Sequence, residues 1–248
     1  MRKETGMAHP GSRLVGGRRS PRRLFPVVAL AALAACAAGV ASLDRAAPEP
    51  NEPDVAAQEP SREQIERGRL GVLSHACGGC HGGGDNPQAE GWLAGLTSPE
   101  QEFRIGACAM DPDATPCFLT RPRNLTPDNT TGVGRFSERQ IFNALRFGLR
   151  PGETPDVEIT STVAGEGNFP ENPKYLAPPM PWPAWRHMTD QELWDIAAYL
   201  KHGVKPVENK VEDSEGPPDF WASAYTVEAI GPWPAVDFPT ENEVAPEG

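Results

Sequence analysis

Sheet signals are nearly missing from this 248-residue chain. No stretch alternates apolar and polar residues convincingly, so a sheet-based fold is not expected. Cysteine is sparse: Cys36, Cys77, Cys80, Cys108 and Cys117 are all there are. A structural zinc would want two more Cys or His ligands at short spacing beside the Cys77/Cys80 pair, and a thioredoxin-like redox pair would want a βαβ setting. Neither context is present. Basic residues are outnumbered, 23 Lys plus Arg against 34 Asp plus Glu. Residues 1–35 hold seven of the basic residues and one acidic residue, Glu4, so the remainder stands at 16 against 33, or −17. That balance argues against a nucleic-acid partner. It suits either faster encounter with a basic protein or plain solubility. No internal repeat appears.

What the chain does have is Cys77-Gly78-Gly79-Cys80-His81, a Cys-x-x-Cys-His run that occurs once. Two thiols three positions apart can bond the two vinyl groups of one porphyrin, and the adjacent imidazole then falls under the iron. The expectation is one covalent haem c, attached through Cys77 and Cys80, with His81 as an axial ligand.

The N-terminus fits an exported protein. Arg13, Arg18, Arg19, Arg22 and Arg23 lead into an apolar run from Leu24 to Leu43, a basic n-region followed by an apolar h-region. Within it, Leu33-Ala34-Ala35-Cys36 resembles the lipobox of bacterial lipoproteins, in which the Cys is lipidated and becomes the new N-terminus. Ordinary cleavage at an Ala-rich site and an uncleaved helix are the competing readings, since about 20 apolar residues can span a bilayer. Arg22-Arg23 also looks loosely like a twin-arginine signal. The domain plan is therefore a signal or anchor at 1–43, a disordered Pro- and acid-rich tether at 44–60, one domain at 61–206 and an acidic tail at 207–248. The tail carries Phe220, Trp221, Tyr225, Trp233 and Phe238, so part of it should pack on the domain or on a partner. The location expected is the periplasmic side of a bacterial membrane, with the chain held to the surface by a lipid or anchor.

Within 61–206 the signals are helical. Ser61 with Gln64, Ser137 with Gln140 and Thr189 with Glu192 are capping-box patterns, each followed by an apolar stripe, and Gly148 and Gly203 mark two of the stops. The remainder is Gly- and Pro-dense loop. The fold class expected is all-α, with three to five helices wrapped around one haem.

The order Arg67-Gly68-Arg69, Cys77 to His81, Asn124-Leu125-Thr126-Pro127-Asp128, Thr131-Gly132-Val133-Gly134, Ala144 to Gly148, Met180-Pro181-Trp182 and Ala197-Ala198-Tyr199-Leu200 resembles the cytochrome c family of mono-haem domains. It looks most like the cytochrome subunits that accept electrons from periplasmic alcohol, aldehyde or gluconate-type dehydrogenases. The resemblance covers residues 62–204. It implies a cytochrome c fold and redox protein partners: a dehydrogenase donor, and an oxidase or another cytochrome as acceptor. It also implies that Gly68 lets the first helix cross closely over the last at Tyr199. The chain departs from that pattern in three ways. It carries one such domain where dehydrogenase-linked members usually carry three, it has Phe136 where a Trp is common, and residues 106–122 and 150–178 look like insertions.

The second axial ligand has several candidates. Met180 lies in Pro178-Pro179-Met180-Pro181-Trp182, a stiff loop with no other reason to present a thioether, and it also holds the family position. Met188 can staple to Leu193 beside the cap Thr189, and Met110 sits between two cysteines. His75, His187 and His202 remain, His202 being explained as a cation at a helix C-terminus. Cys108 and Cys117 are a disulfide in an oxidising compartment or two free thiols. Asp111 and Asp113 are too few for a calcium site. Trp182 and Trp185 pack in the core or frame a haem edge for partners. With both axial sites filled, outer-sphere electron transfer is the expected activity and an enzyme in the strict sense is not. A thiosulfate dehydrogenase-like oxidoreductase with a Cys ligand and a haem-based sensor are the alternatives.

Overall fold

Ser61 Oγ accepts from the Gln64 amide at 3.2 Å and starts α1, Arg62–Ser74. Ser137 and Gln140 close a full capping box at the head of α3, Glu138–Phe147, and Thr189 and Glu192 do the same for α5, Asp190–Ala198. These caps satisfy amides that a helix end leaves without partners. α3 stops at Gly148 in the left-handed region (φ 69°), and α5 widens into a π-type turn, Tyr199–Gly203. This computed structural model describes residues 59–96 and 102–246; the expected export signal, Cys36 and the expected tether up to residue 58 lie outside the described residues.

α1 packs across α5, and α3 joins α5 from another side. The crossing is close because Gly68 has no side chain: a Cβ there would lie 1.8 Å from the Asp195 carbonyl oxygen and 2.8 Å from Tyr199 Cβ. Arg67 Nε clamps the crossing by donating to Asp195 Oδ2 at 2.6 Å. Val72, Leu93, Ile141, Ile196, Ala197, Tyr199 and Leu200 form the main core beneath.

The all-α expectation needs correction. β1, Phe103–Gly106, and β2, Cys117–Thr120, pair antiparallel with Gly106 opposite Cys117. Four-residue strands carry too little alternation to be seen in the sequence, and this pair is held by a covalent staple as well as by its ladder. The staple is a disulfide between Cys108 and Cys117, with Cα atoms 5.2 Å apart, so those cysteines are not free thiols. The fold is mostly helical with one small two-stranded sheet.

A second core lies beyond α3, where Phe147, Leu149, Ile159 and Phe169 cluster with Tyr175 and Trp233. Residues 150–178 thus contribute an apolar core of their own. The segment after 206 packs down too: Trp221 is buried against Phe118 at 5.0 Å, Glu215 pairs with Leu119, and Asp219 accepts from Arg150 at 2.6 Å. Two single-turn helices complete this half: α4, Trp182–Trp185, and α6, Val227–Ile230.

Candidate haem-binding site

The Cys-x-x-Cys-His run forms α2, Cys77–His81, entered through Ala76 (φ 51°) and closed by Gly82 (φ 102°). Helical spacing of three and four places Cys77, Cys80 and His81 on one face. The two glycines between them differ. A Cβ on Gly78 would meet the Gly84 carbonyl at 2.2 Å and the Trp92 ring at 2.4 Å, whereas a Cβ on Gly79 would meet nothing within 4 Å. Trp92 is itself held by donating to Tyr199 Oη at 3.3 Å. The Gly78 side of α2 is therefore pressed onto the core, while its Gly79 side is open and Cys80 is exposed.

His81 is buried, and its Nδ1 lies 2.7 Å from the Arg123 carbonyl oxygen. A carbonyl only accepts, so Nδ1 carries the proton and Nε2 keeps its lone pair. Burial lowers the imidazole pKa, which keeps the ring neutral and able to ligate.

The chain that follows that carbonyl is pinned by a knot of side-chain hydrogen bonds. Asn124 Nδ2 donates to Thr131 Oγ1 and to the Val207 carbonyl, while Asn124 Oδ1 accepts from the Thr126 amide and hydroxyl. Asp128 Oδ1 accepts from Thr131 N at 2.6 Å and Thr131 Oγ1 at 2.7 Å. Gly132 and Gly134 are needed because Cβ atoms there would lie 2.1 Å and 2.3 Å from the carbonyls of Thr126 and Pro127. The side chains of Asn124, Thr126, Asp128 and Thr131 thus pin the chain that follows the acceptor of His81.

Cys77 and Cys80 are not joined to each other. Burial pushes the Cys77 thiol up to about 11, so it stays protonated at neutral pH. Redox and metal-bound thiols are shifted the other way. Among the described residues, no group of three or more His, Cys, Asp and Glu side chains is arranged to hold a metal ion.

Met180 lies on a separate segment, half-buried in a turn whose amide donates to the Ala177 carbonyl at 2.9 Å, just before α4. One contact ties α4 to the approach of α2: the rings of Trp185 and His75 meet edge-on at 6.0 Å. The other candidate ligands have other surroundings. Met110 is 93% exposed, Met188 packs on the main core, His75 bonds the Gly71 carbonyl, and His202 pairs with Glu138 at 2.6 Å. Trp182 and Trp185 are buried, with Trp182 stacking on Tyr175.

Arg146 was not foreseen. It is 5% exposed, donates to the carbonyls of Arg186 and Met188 and pairs with Asp190, so it carries the charge that binds α3 to the chain around α4. Its position inside the amphipathic stretch Ile141 to Phe147 was the available signal.

The residues present fit a c-type haem: one neutral imidazole with its Nε2 lone pair free, two uncrosslinked sulfurs on the same helical face, and half-buried apolar side chains at Leu73, Leu125, Phe136 and Leu145 bordering the core beside Cys77. A Cys-x-x-Cys-His turn in a mostly helical domain resembles the haem-attachment turn of c-type cytochromes. Among known proteins, the chain is similar to the gluconate 2-dehydrogenase cytochrome c subunit of Pantoea cypripedii, 33% identical over 106 residues (43% of this chain and 20% of that protein). It is 27% identical over 160 residues to the fructose dehydrogenase cytochrome subunit of Gluconobacter japonicus, covering 64% of this chain and 25% of that one. It is 32% identical over 84 residues to the alcohol dehydrogenase (quinone) cytochrome c subunit of Gluconacetobacter polyoxogenes, covering 34% of this chain and 14% of that protein. The chain thus spans a quarter or less of the length of these relatives. No family model matches it.

Proposed function

We propose that the chain is an electron-transfer cytochrome with one haem c, joined through Cys77 and Cys80 and ligated by His81 and Met180, and that it passes electrons from a dehydrogenase to an acceptor such as an oxidase or another cytochrome. The observation that carries the reading is the 2.7 Å contact between His81 Nδ1 and the Arg123 carbonyl, which leaves the Nε2 lone pair available for a ligand role beside two uncrosslinked thiols. The similarity to dehydrogenase cytochrome subunits supports the kind of donor. Bound there, the haem supplies a one-electron couple.

The protein's own part is positional. The Asn124 to Gly134 knot pins the chain that follows the carbonyl, the carbonyl orients the imidazole, and the core behind Gly78 keeps α2 in place. The thioether of Met180 completes the coordination and favours the reduced iron. A Cys ligand from the Cys108/Cys117 pair, as a thiosulfate-oxidising enzyme would use, is opposed by their disulfide. The export signal and the Leu33-Ala34-Ala35-Cys36 run support attachment to the periplasmic face of a membrane through a lipid on Cys36. Among the described residues, no helix is long and apolar enough to cross one.

Met180→Ala should leave the haem attached, lower its potential and let carbon monoxide bind the oxidisable iron in its reduced form. Met188→Ala should cost about 1 kcal/mol of stability, the scale of a lost cap contact, and leave the spectrum unchanged. Spectra and redox titration of the two holo-proteins check this, and the opposite pattern would remove Met180 as the ligand.

A further inference from the structure

Arg123 gives its carbonyl to His81, and its side chain is bonded elsewhere. The guanidinium is set against the segment after residue 206. Nη1 donates to the carbonyls of Val211 and Glu212 at 3.3 and 3.0 Å, and Nη2 donates to Ser214 Oγ at 2.9 Å. All three acceptors are uncharged. Asp213 Oδ1 stands 3.8 Å away, beyond hydrogen-bond distance, on a side chain that is 96% exposed. Partial burial lowers the pKa of Arg123; Asp213 opposes that shift, and Arg135 and Arg121 add to it as like charges.

Arg123, Arg135 and Lys210 border one groove of 310 Å³, together with Thr130 and Asp213. The cations meet solvent there: the Arg123 side chain is 41% exposed, and Arg135 and Lys210 are exposed. Among the described residues, no carboxylate lies within ion-pair distance of Arg135 or Lys210. The Arg135 guanidinium rests instead over the Phe136 ring at 4.9 Å. By contrast, Arg67, Arg121, Arg146 and Arg150 are each paired with a carboxylate. Three cations against one carboxylate leave the groove net positive in a chain that has acid to spare, 34 Asp plus Glu against 23 Lys plus Arg. Such a local field concentrates anions.

The three cations come from separate stretches of chain, so a ligand in the groove meets donors from more than one side. A tetrahedral oxyanion offers acceptor oxygens in every direction, whereas a carboxylate offers two in one plane. The volume is that of about ten waters at roughly 30 Å³ each, enough for a phosphate with part of its hydration shell. We propose that this groove binds a free phosphate dianion, with Arg123 as the pre-set anchor and Arg135, Lys210 and the Thr130 hydroxyl as further donors.

Isothermal titration calorimetry of the holo-protein near neutral pH and at constant ionic strength tests this with sodium phosphate, and with sodium succinate in parallel. Phosphate should give a saturable heat of one-to-one stoichiometry. Its affinity should fall about tenfold in Lys210→Gln and in Arg135→Gln, the scale of one charge-assisted hydrogen bond. Arg123→Gln should abolish it, and the two exposed variants carry the test should Arg123→Gln fail to fold. Unchanged affinity in both Lys210→Gln and Arg135→Gln overturns the site. Succinate bound as tightly as phosphate overturns the assignment to a tetrahedral oxyanion, and a wild-type protein with no saturable phosphate heat overturns the proposal outright.

Discussion

The α2 side of this domain and the lobe beyond α3 are built by different means. Around α2 the fit is between backbones: glycines at 78, 132 and 134 let carbonyls and ring edges approach to distances that any Cβ would forbid, and one carbonyl aims His81. Beyond α3 the fit is between large side chains. Tyr175 stacks on Trp182 and Tyr225 meets both edge-on, Phe147 meets Phe169 and Trp233, and Arg146 and Arg150 tie the segments together. Backbone packing tolerates no added atom at the contact and any atom beside it, whereas side-chain packing yields by degrees. The first kind holds a ligand to one orientation. The second closes a lobe whose loops can be long.

The sharpest way to break that contrast lies inside the motif itself. Gly78→Ala places a methyl against the Gly84 carbonyl and the Trp92 ring, and should cost about 3–5 kcal/mol or prevent folding with haem attached. Gly79→Ala enters open space on a helix, where Ala is preferred, and should change stability by no more than about 1 kcal/mol. Denaturant unfolding of the two holo-proteins separates them. Equal losses would mean that the Gly79 side of α2 is as confined as its Gly78 side.

The lobe beyond α3 should respond less steeply. Arg146→Met keeps most of the apolar stem but strands the carbonyls of Arg186 and Met188, while the exposed Asp190 stays solvated, an expected loss of about 2–4 kcal/mol. Its melting transition should also broaden if the lobe then opens before the core. A variant as stable as the parent would show that water replaces the guanidinium without cost.

The same division explains what was legible in the sequence. Cap residues announce themselves because Ser or Thr followed by Gln or Glu has a single local use, so all three main helices start where expected. The Cys77 to His81 turn is equally local, and Gly68 under Tyr199 was readable from the resemblance. The hairpin was not, because its two strands are short and 10 residues separate Gly106 from Cys117 across a disulfide-closed loop. Core packing of Trp182 was among the readings, but its cover was not: nothing local says that Tyr225, 43 positions on, comes back to it. The role of Asn124 was hidden for a similar reason, since one of its partners is the carbonyl of Val207.

The smallest expected effect concerns acid. Asp128 accepts from the backbone and hydroxyl of Thr131 and from Thr130, and these bonds hold its pKa below the ordinary carboxylate value. Glu192 is depressed in the same direction by Thr189 at the head of α5. A carboxylate whose folded pKa lies below its unfolded one contributes stability above the unfolded value, and that contribution is lost as pH falls through the ordinary carboxylate range toward the depressed one. Both groups are solvent-facing, so each loss is small. They act in different places: protonating Asp128 loosens the knot that follows the Arg123 carbonyl, whereas protonating Glu192 frays only a helix end. Asp128→Asn and Glu192→Gln should each flatten the fall of melting temperature between about pH 5 and pH 3. Only Asp128→Asn should also alter the acid-range haem spectrum, because only that change reaches His81. Spectral titrations of the three holo-proteins that coincide in acid would show that the knot and the imidazole are not coupled.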